Sequence, residues 1–157
     1  MLACFDHQTY PKDLVEWIIV DDGTDPIGEL VDTHPNIKYF RFEEKMAIGH
    51  KRNVANSKCT GDIIVNMDDD DYYPPTRIEH AVAALMHNPT ALIAGSSIMH
   101  TYFKHSNQMF RFGPYGPNHA TAATFAFKRE LLNTRKYDDG AAMSEEPSFL
   151  GSSSTDP

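Results

Sequence analysis

No apolar run in this chain approaches the ~18–20 residues needed to cross a bilayer, so no spanning helix is expected. The start of the sequence lacks the basic segment, apolar run and small-residue cleavage site of a signal peptide. No Asn-x-Ser/Thr sequon with x other than proline occurs either. Together these absences predict an intracellular, cytoplasmic protein. Cysteine is scarce: Cys4 and Cys59 form no Cys-x-x-Cys pair and cannot build a zinc site without several histidines. They are expected to be reduced packing residues. Positive charge is also short. With 14 Lys and Arg against 22 Asp and Glu, the net charge of −8 argues against broad binding to DNA or RNA. What remains is a 157-residue chain, 41% hydrophobic, which suits one domain around a single core.

Apolar periodicity divides the chain into short strands and helices. A helix-like stretch, Met1 to Phe5, opens it without a strand before it. Val15–Val20 is a buried-type strand rich in β-branched residues, ending on the turn Asp21-Asp22-Gly23. Asp25 followed by Pro26 reads as an N-cap with proline at the first helical position, predicting a short helix to about Thr33. Asn36–Phe42 alternates as a second strand, and Ile48–Cys59 is a helix candidate. Asp62–Met67 is a third strand that runs into Asp68-Asp69-Asp70-Asp71. After Pro74-Pro75, Thr76 and Glu79 match a capping box, and Ile78, Ala81, Val82, Leu85 and Met86 share one helical face. Ala91–Ser96 and Thr121–Phe127 are further strand candidates. Alternating strands and helices predict an α/β fold with βαβ crossovers and a mainly parallel sheet. Residues 1–150 are expected to form the domain, and 151–157 (G-S-S-S-T-D-P) a flexible tail. The two ends predict a piece shortened on both sides.

In open α/β sheets ligands bind beyond the carboxyl ends of the strands, and both acidic turns fall there. The four-aspartate knot is the strongest feature. Adjacent carboxylates repel by roughly 1 kcal/mol per pair at 4 Å in water and about 4 at an effective dielectric of 20, so a cation or hydrogen-bond donors must offset them. If the segment is extended, Asp68 and Asp70 point the same way and can share a ligand. Hard oxygen donors suit Mg²⁺ or Mn²⁺, held by one or two carboxylates together with substrate phosphates. A solvated acidic loop is the competing reading. A calcium loop counted from Asp68 fails, because Tyr72 and Tyr73 stand at positions five and six and two prolines follow.

The turn at Asp21-Asp22 can accept hydrogen bonds from a base or ribose, though Asp-Gly is also ordinary turn chemistry. Lys51 and Arg52 sit early in a helix, where the dipole disfavours cations; facing phosphates would explain them, and a solvated basic face is the alternative. The adjacent carboxylates Glu145 and Glu146 suit a general base, since each raises the other's proton affinity; an acidic surface pair is the plain alternative. His119, the other histidines and Met67, Met86, Met99, Met109 and Met143 show no ligand or binding-stripe spacing.

The order of these pieces resembles the family 2 glycosyltransferases, which adopt the Rossmann-like GT-A fold. The matching segments are W-I-I-V-D-D-G-T-D (17–25), G-H-K-R-N-V-A (49–55), G-D-I-I-V-N-M-D-D-D-D-Y-Y-P-P (61–75), A-T-F-A-F-K-R-E-L-L (123–132) and S-E-E-P-S-F-L (144–150). The resemblance implies transfer of a sugar from a nucleotide-diphosphate donor, UDP being the commonest, to an acceptor hydroxyl on a glycan, lipid or protein. It implies inversion and dependence on Mn²⁺ or Mg²⁺. Carried over by position, Asp21 and Asp22 meet the base and ribose, and Arg52, with Lys51, meets the base or diphosphate. Asp68-x-Asp70 becomes the D-x-D element, with Asp70 the leading metal ligand and Asp68 nearer the ribose and sugar. Asp71 touches the donor sugar or holds the loop. Glu146 is favoured as the base, with Glu145 close behind, because the family often has Glu-Asp there. The family's first strand is absent from this pattern.

Two rival functions stay open. A sugar nucleotidyltransferase would carry a glycine-rich basic phosphate loop near its start, which is not seen. A catalytically silent nucleotide- or metal-binding fragment would bind without transferring.

Overall fold

The computed structural model describes residues 2–116 and 119–151. A short helix, α1 (Leu2–Asp6), leads through a 3₁₀ turn (Lys12–Leu14) into β1 (Trp17–Asp21). Helix α2 (Gly28–Val31) and strand β2 (Ile37–Arg41) follow, then α3 (Ile48–Lys58), β3 (Ile63–Val65) and α4 (Arg77–His87). Beyond these lie β4 (Ile93–Ala94), β5 (Met99–Phe103), β6 (Gln108–Phe112), β7 (Ala126–Lys128) and α5 (Glu146–Leu150). The expected tail at 152–157 lies outside the described residues.

β1 and β2 pair in parallel, from Trp17 opposite Ile37 to Asp21 opposite Arg41. β7 lies between β3 and β4 and runs antiparallel to both. β3 and β4 are therefore parallel to each other, and Val65 and Ala94 are level because both face Ala126. The α/β alternation and parallel pairing follow the sequence pattern. The antiparallel entry of β7 has a simple cause: a β5–β6 ribbon, rather than a crossover helix, connects it to β4.

The core gathers at β7. Phe125, Phe127, Leu131, Tyr137 and Phe149 pack with Ile64 and Ala122, while Ala81 and Leu85 of α4 cover Ala126 from the other side. The Phe149 ring stacks on Tyr137 at 4.3 Å and lies 5.0 Å from Phe127. A buried phenylalanine of this kind contributes about 3–5 kcal/mol. Here it also fixes α5, and with it Glu145 and Glu146.

Several local expectations give way to tertiary contacts. Thr76 makes no side-chain cap on α4; Glu79 instead accepts a 2.6 Å hydrogen bond from the Thr9 hydroxyl. The free amide of Ile78 is met by the Gln8 side chain at 3.0 Å. The cap role falls away because the 8–9 segment reaches these groups first. Asp25 does not cap α2, which starts at Gly28; the Asp21 carboxylate takes the Ile27 amide at 3.1 Å instead. Met86, placed by periodicity on the buried face, is 67% exposed. The strand expected at 121–127 forms only over Ala126–Lys128, preceded by a 3₁₀ turn at Ala122–Thr124.

Candidate functional site

The two acidic turns leave the carboxyl ends of β1 and β3, and α3 runs between them as a hub. Its start is pressed against the 137–141 loop. A Cβ on Gly49 would lie 2.0 Å from the Asp138 carbonyl oxygen, so only glycine permits this approach. The Gly49 amide donates to Ala141 O at 3.1 Å, and the Asn53 side chain bonds Tyr137 O, the Tyr137 amide and Asp139. His50 adds a 3.0 Å contact to Asp139. These contacts give Gly49, His50 and Asn53 architectural work that their motif alone does not reveal.

The two cations at the start of α3, Lys51 and Arg52, are each matched with carboxylates. Lys51 Nζ donates to Asp22 Oδ1 at 2.6 Å; Lys45 Nζ and the Met46 amide also donate to Asp22, at 3.3 and 2.9 Å. Asp22 is buried. Burial alone would raise its carboxyl, but Lys51, Met46 and Lys45 outweigh that and hold it well below the usual carboxylate range. Arg52 forks onto Asp68, with Nη1–Oδ1 and Nη2–Oδ2 both 3.1 Å, while its Nε donates to Glu145 Oε1 at 2.7 Å. Burial opposes the charge on Arg52, yet Asp68 and Glu145 raise its proton affinity above the ordinary value. The expectation that both cations stand ready for phosphates is thus modified: in this state they neutralise the site's own acids.

Asp21 is turned inward to its own loop. It accepts from Tyr39 Oη at 2.6 Å, Gly23 N at 2.8 Å and Ile27 N at 3.1 Å. The Tyr39 hydrogen bond, opposed by burial and aided by the two amides and Arg41, lowers its carboxyl pKa. Beside it opens a cleft of about 600 Å³ lined by Asp22, Gly23, Thr24, Arg41, Glu43 and Lys45. Ligand pockets commonly span ≈300–1,000 Å³.

The aspartate knot is a turn rather than an extended strand, because β3 ends at Val65. The alternation argument for Asp68 and Asp70 therefore does not apply. Tyr73 pins the knot: its hydroxyl accepts from Asp68 N at 2.8 Å and donates to Ala123 O at 3.1 Å. Arg77 Nη2 donates to the carbonyls of Thr124 and Phe125 at 2.9 and 3.0 Å, holding the same loop. Asp70 forms no ion pair with the described residues. Burial, then the neighbouring charges of Asp68 and Asp70, push the Asp71 carboxyl up. No group of three or more His, Cys, Asp or Glu side chains converges as a ligand set among the described residues.

Glu145 is buried against Arg52, whereas half-buried Glu146 accepts one hydrogen bond, from Ala122 N at 3.1 Å. The structure therefore brings Arg52, Asp68 and Glu145 into direct contact and ties Glu146 to the loop that Tyr73 bonds. Asp21, Asp22 and Lys51 form a second cluster at the end of β1. Sequence reasoning missed Tyr73, Arg77, Asn53, Arg41 and Lys45. Tyr73 alone had a local cue, since it follows the knot directly.

Residues 2–143 match the family model described as glycosyl transferase family 2. An uncharacterized glycosyltransferase of Haemophilus influenzae is 25% identical over 101 residues, which cover 61% of this chain and 39% of that protein. TarS of S. aureus in complex with UDP superposes with a TM-score of 0.74 at 20% identity, over 96% of this chain and 48% of that one. Mannosyltransferase PcManGT of Pyrobaculum calidifontis, in complex with GDP-Man and Mn²⁺, gives 0.70 at 21% identity, over 94% and 45%. The chain spans less than half the length of each of these three proteins. The structural likeness establishes a shared fold, the Rossmann-like α/β architecture of GT-A proteins.

Proposed function

Because the chain belongs to glycosyl transferase family 2, we propose that its crevice binds a nucleotide-diphosphate sugar and passes the sugar to an acceptor hydroxyl with inversion. The observation that carries this reading is the meeting of Arg52, Asp68 and Glu145 on the strand-end edge that also holds the Asp22–Lys51 pair. Acids and cations held this close, with Asp22 also lining a nucleotide-sized cleft, suit a ligand that carries phosphates and needs a counter-cation. The cleft lined by Asp22, Gly23, Thr24, Arg41, Glu43 and Lys45 takes the nucleoside, with UDP as the nucleotide that the TarS complex contains. Lys51 bonds Asp22 on the cleft wall and Arg52 follows Lys51 on α3, and an incoming diphosphate competes with Asp22 and Asp68 for the two cations.

The knot fits a divalent cation by its donor chemistry: hard oxygens only, with burial and then the charges of Asp68 and Asp70 pushing the Asp71 carboxyl up. Asp70 and Asp68 would hold Mn²⁺ or Mg²⁺, which when bound supplies Lewis-acid neutralisation of a diphosphate oxygen. Asp71 borders the same turn and faces the donor sugar or secures the loop. Glu146 accepts the proton of the acceptor hydroxyl as that oxygen bonds the anomeric carbon and the carbon–oxygen bond to the diphosphate breaks. Glu145 positions Arg52 rather than taking the proton, because its carboxylate is already committed to the guanidinium.

Thermal shift with UDP, with and without Mn²⁺, tests the reading. Ligand at 100 times its Kd stabilises the native state by about 2.7 kcal/mol, and Asp70→Ala is expected to abolish the Mn²⁺-dependent part. An unchanged shift in that variant rejects the metal role. A second reading, a silent binding module, draws on the internal pairing of Lys51 and Arg52. Nucleotide binding that persists in EDTA without any sugar transfer favours it.

A further inference from the structure

Two routes run from the aspartate knot to the glutamate pair, and they differ in kind. One is ionic: Asp68 holds Arg52, and Arg52 holds Glu145. The other is made of hydrogen bonds to backbone groups. The Tyr73 hydroxyl accepts from Asp68 N at 2.8 Å and donates to Ala123 O at 3.1 Å. Ala122, the residue before it on the same 3₁₀ turn, donates its amide to Glu146 Oε1 at 3.1 Å. An incoming diphosphate competes for Arg52 and so loosens the first route. The Tyr73 route contains no cation for it to take.

The turn that joins Tyr73 to Glu146 is held from three sides. From the end of β3, Asn66 N donates to Phe125 O and Asn66 Nδ2 to Ala122 O, both at 2.9 Å. From α4, Arg77 Nη2 reaches Thr124 O and Phe125 O at 2.9 and 3.0 Å. From the end of β4, Ser96 N donates to Thr124 Oγ1 at 2.9 Å. A Cβ on Gly95 would lie 2.8 Å from the Ala120 Cβ, so that approach is also close-packed. Ala122 and Phe125 are each 1% exposed, and buried polar groups give up their partners only at a cost. The turn therefore has little slack: a shift of Ala123 O with Tyr73 carries the Ala122 amide along.

We propose that Tyr73 is a positioning residue for Glu146: its hydroxyl, acting through Ala123 and Ala122, sets that carboxylate against the knot and keeps it set when a ligand takes Arg52. Reacting groups must be held to within about 0.5 Å of productive geometry, which a tightly bonded turn supplies. The link stands on these contacts alone. Its use, setting a base against a metal site, rests on the transferase reading.

Amide hydrogen exchange in the chain without metal or nucleotide tests the link. In Tyr73→Phe, Ala122 is expected to exchange about fivefold faster relative to Lys128, a β7 residue whose amide bonds Leu92 O at 2.9 Å. A merely structural role for the hydroxyl would speed both amides alike. From the other end, Glu146→Ala alters a half-buried side chain and is expected to speed exchange at Asp68 about fivefold. Glu146→Gln, which keeps an acceptor for Ala122 N, is expected to restore it. Equal acceleration of Ala122 and Lys128, or an Asp68 amide indifferent to Glu146→Ala, overturns the proposal.

Mg²⁺ added to the UDP-bound chain separates the link from the transferase reading. The amide resonances of Asp70 and Ala122 are expected to move together in the wild type, and that of Asp70 alone in Tyr73→Phe. Movement of Asp70 without Ala122 in the wild type overturns the link and leaves the metal role standing. An Asp70 resonance that ignores Mg²⁺ rejects the metal role, and the exchange result by itself then decides the link.

Discussion

Replacing Arg52 with methionine removes three charge-assisted hydrogen bonds, two at 3.1 Å to Asp68 and one at 2.7 Å to Glu145. Methionine keeps much of the side-chain length, so the change isolates the guanidinium. Breaking a buried ion pair from one side costs about 3–5 kcal/mol, because the remaining charge is left without a partner. Here the Glu145 side chain is 8% exposed and cannot rehydrate easily, whereas Asp68 at 30% can. The lower end, about 3 kcal/mol, is therefore expected, or a fall of about 6–12 °C in melting temperature for a domain of this size. Urea unfolding measures it. Adding Glu145→Gln to Arg52→Met is expected to recover part of the loss, with a coupling energy above about 1 kcal/mol in the double-mutant cycle. Arg52→Lys is expected to fall between, since an ammonium cannot fork onto Asp68. A destabilisation below about 1 kcal/mol, or additive effects of the Arg52 and Glu145 changes, would refute the view that this triad holds the crevice together.

Three further outcomes follow from other contacts. Burial raises the Glu16 carboxyl, but Lys38 and the Thr60 and Gly61 amides dominate and hold it at about 2 instead of the ordinary 4.5. Its stabilisation is present above pH 4.5 and lost as pH falls towards 2; after screening it amounts to about 1–2 kcal/mol, and Glu16→Gln is expected to flatten acid unfolding in that window. Gly49→Ala drives a Cβ into the Asp138 carbonyl and is expected to cost about 1–3 kcal/mol in chemical denaturation, with no measurable cost meaning that α3 does not pack on that loop. Tyr73→Phe strands the Asp68 amide and Ala123 carbonyl; a loss of about 1–3 kcal/mol by thermal unfolding and a smaller Mn²⁺-dependent nucleotide shift are expected, and an unaltered shift would remove Tyr73 from the support of the knot.

The local strings carried much of the architecture. V-E-W-I-I-V and D-I-I-V-N-M announced strands because β-branched residues cluster there, and their acidic turns fall at strand ends as expected. The capping box failed because Thr9 and Gln8 compete for groups that lie about 70 positions away, a contact with no local trace. The ribbon at 99–112 was illegible for a related reason. Its strands carry apolar side chains on both faces, Phe110 and Phe112 on one and Tyr102 and Met109 on the other, since neither face is packed against the core.

The sequence by itself determined which chemistry was available: four acids after one strand, two acids after another, two cations at a helix start and a glutamate pair near the end. Only the tertiary structure decided who meets whom. Arg52 reaches Glu145 across 93 positions and Asp68 across 16, because β3 and β7 pair and Phe149 anchors α5 in the core between them. Charge pairing falls steeply with distance and solvent exposure, and neither quantity is written in the order of residues.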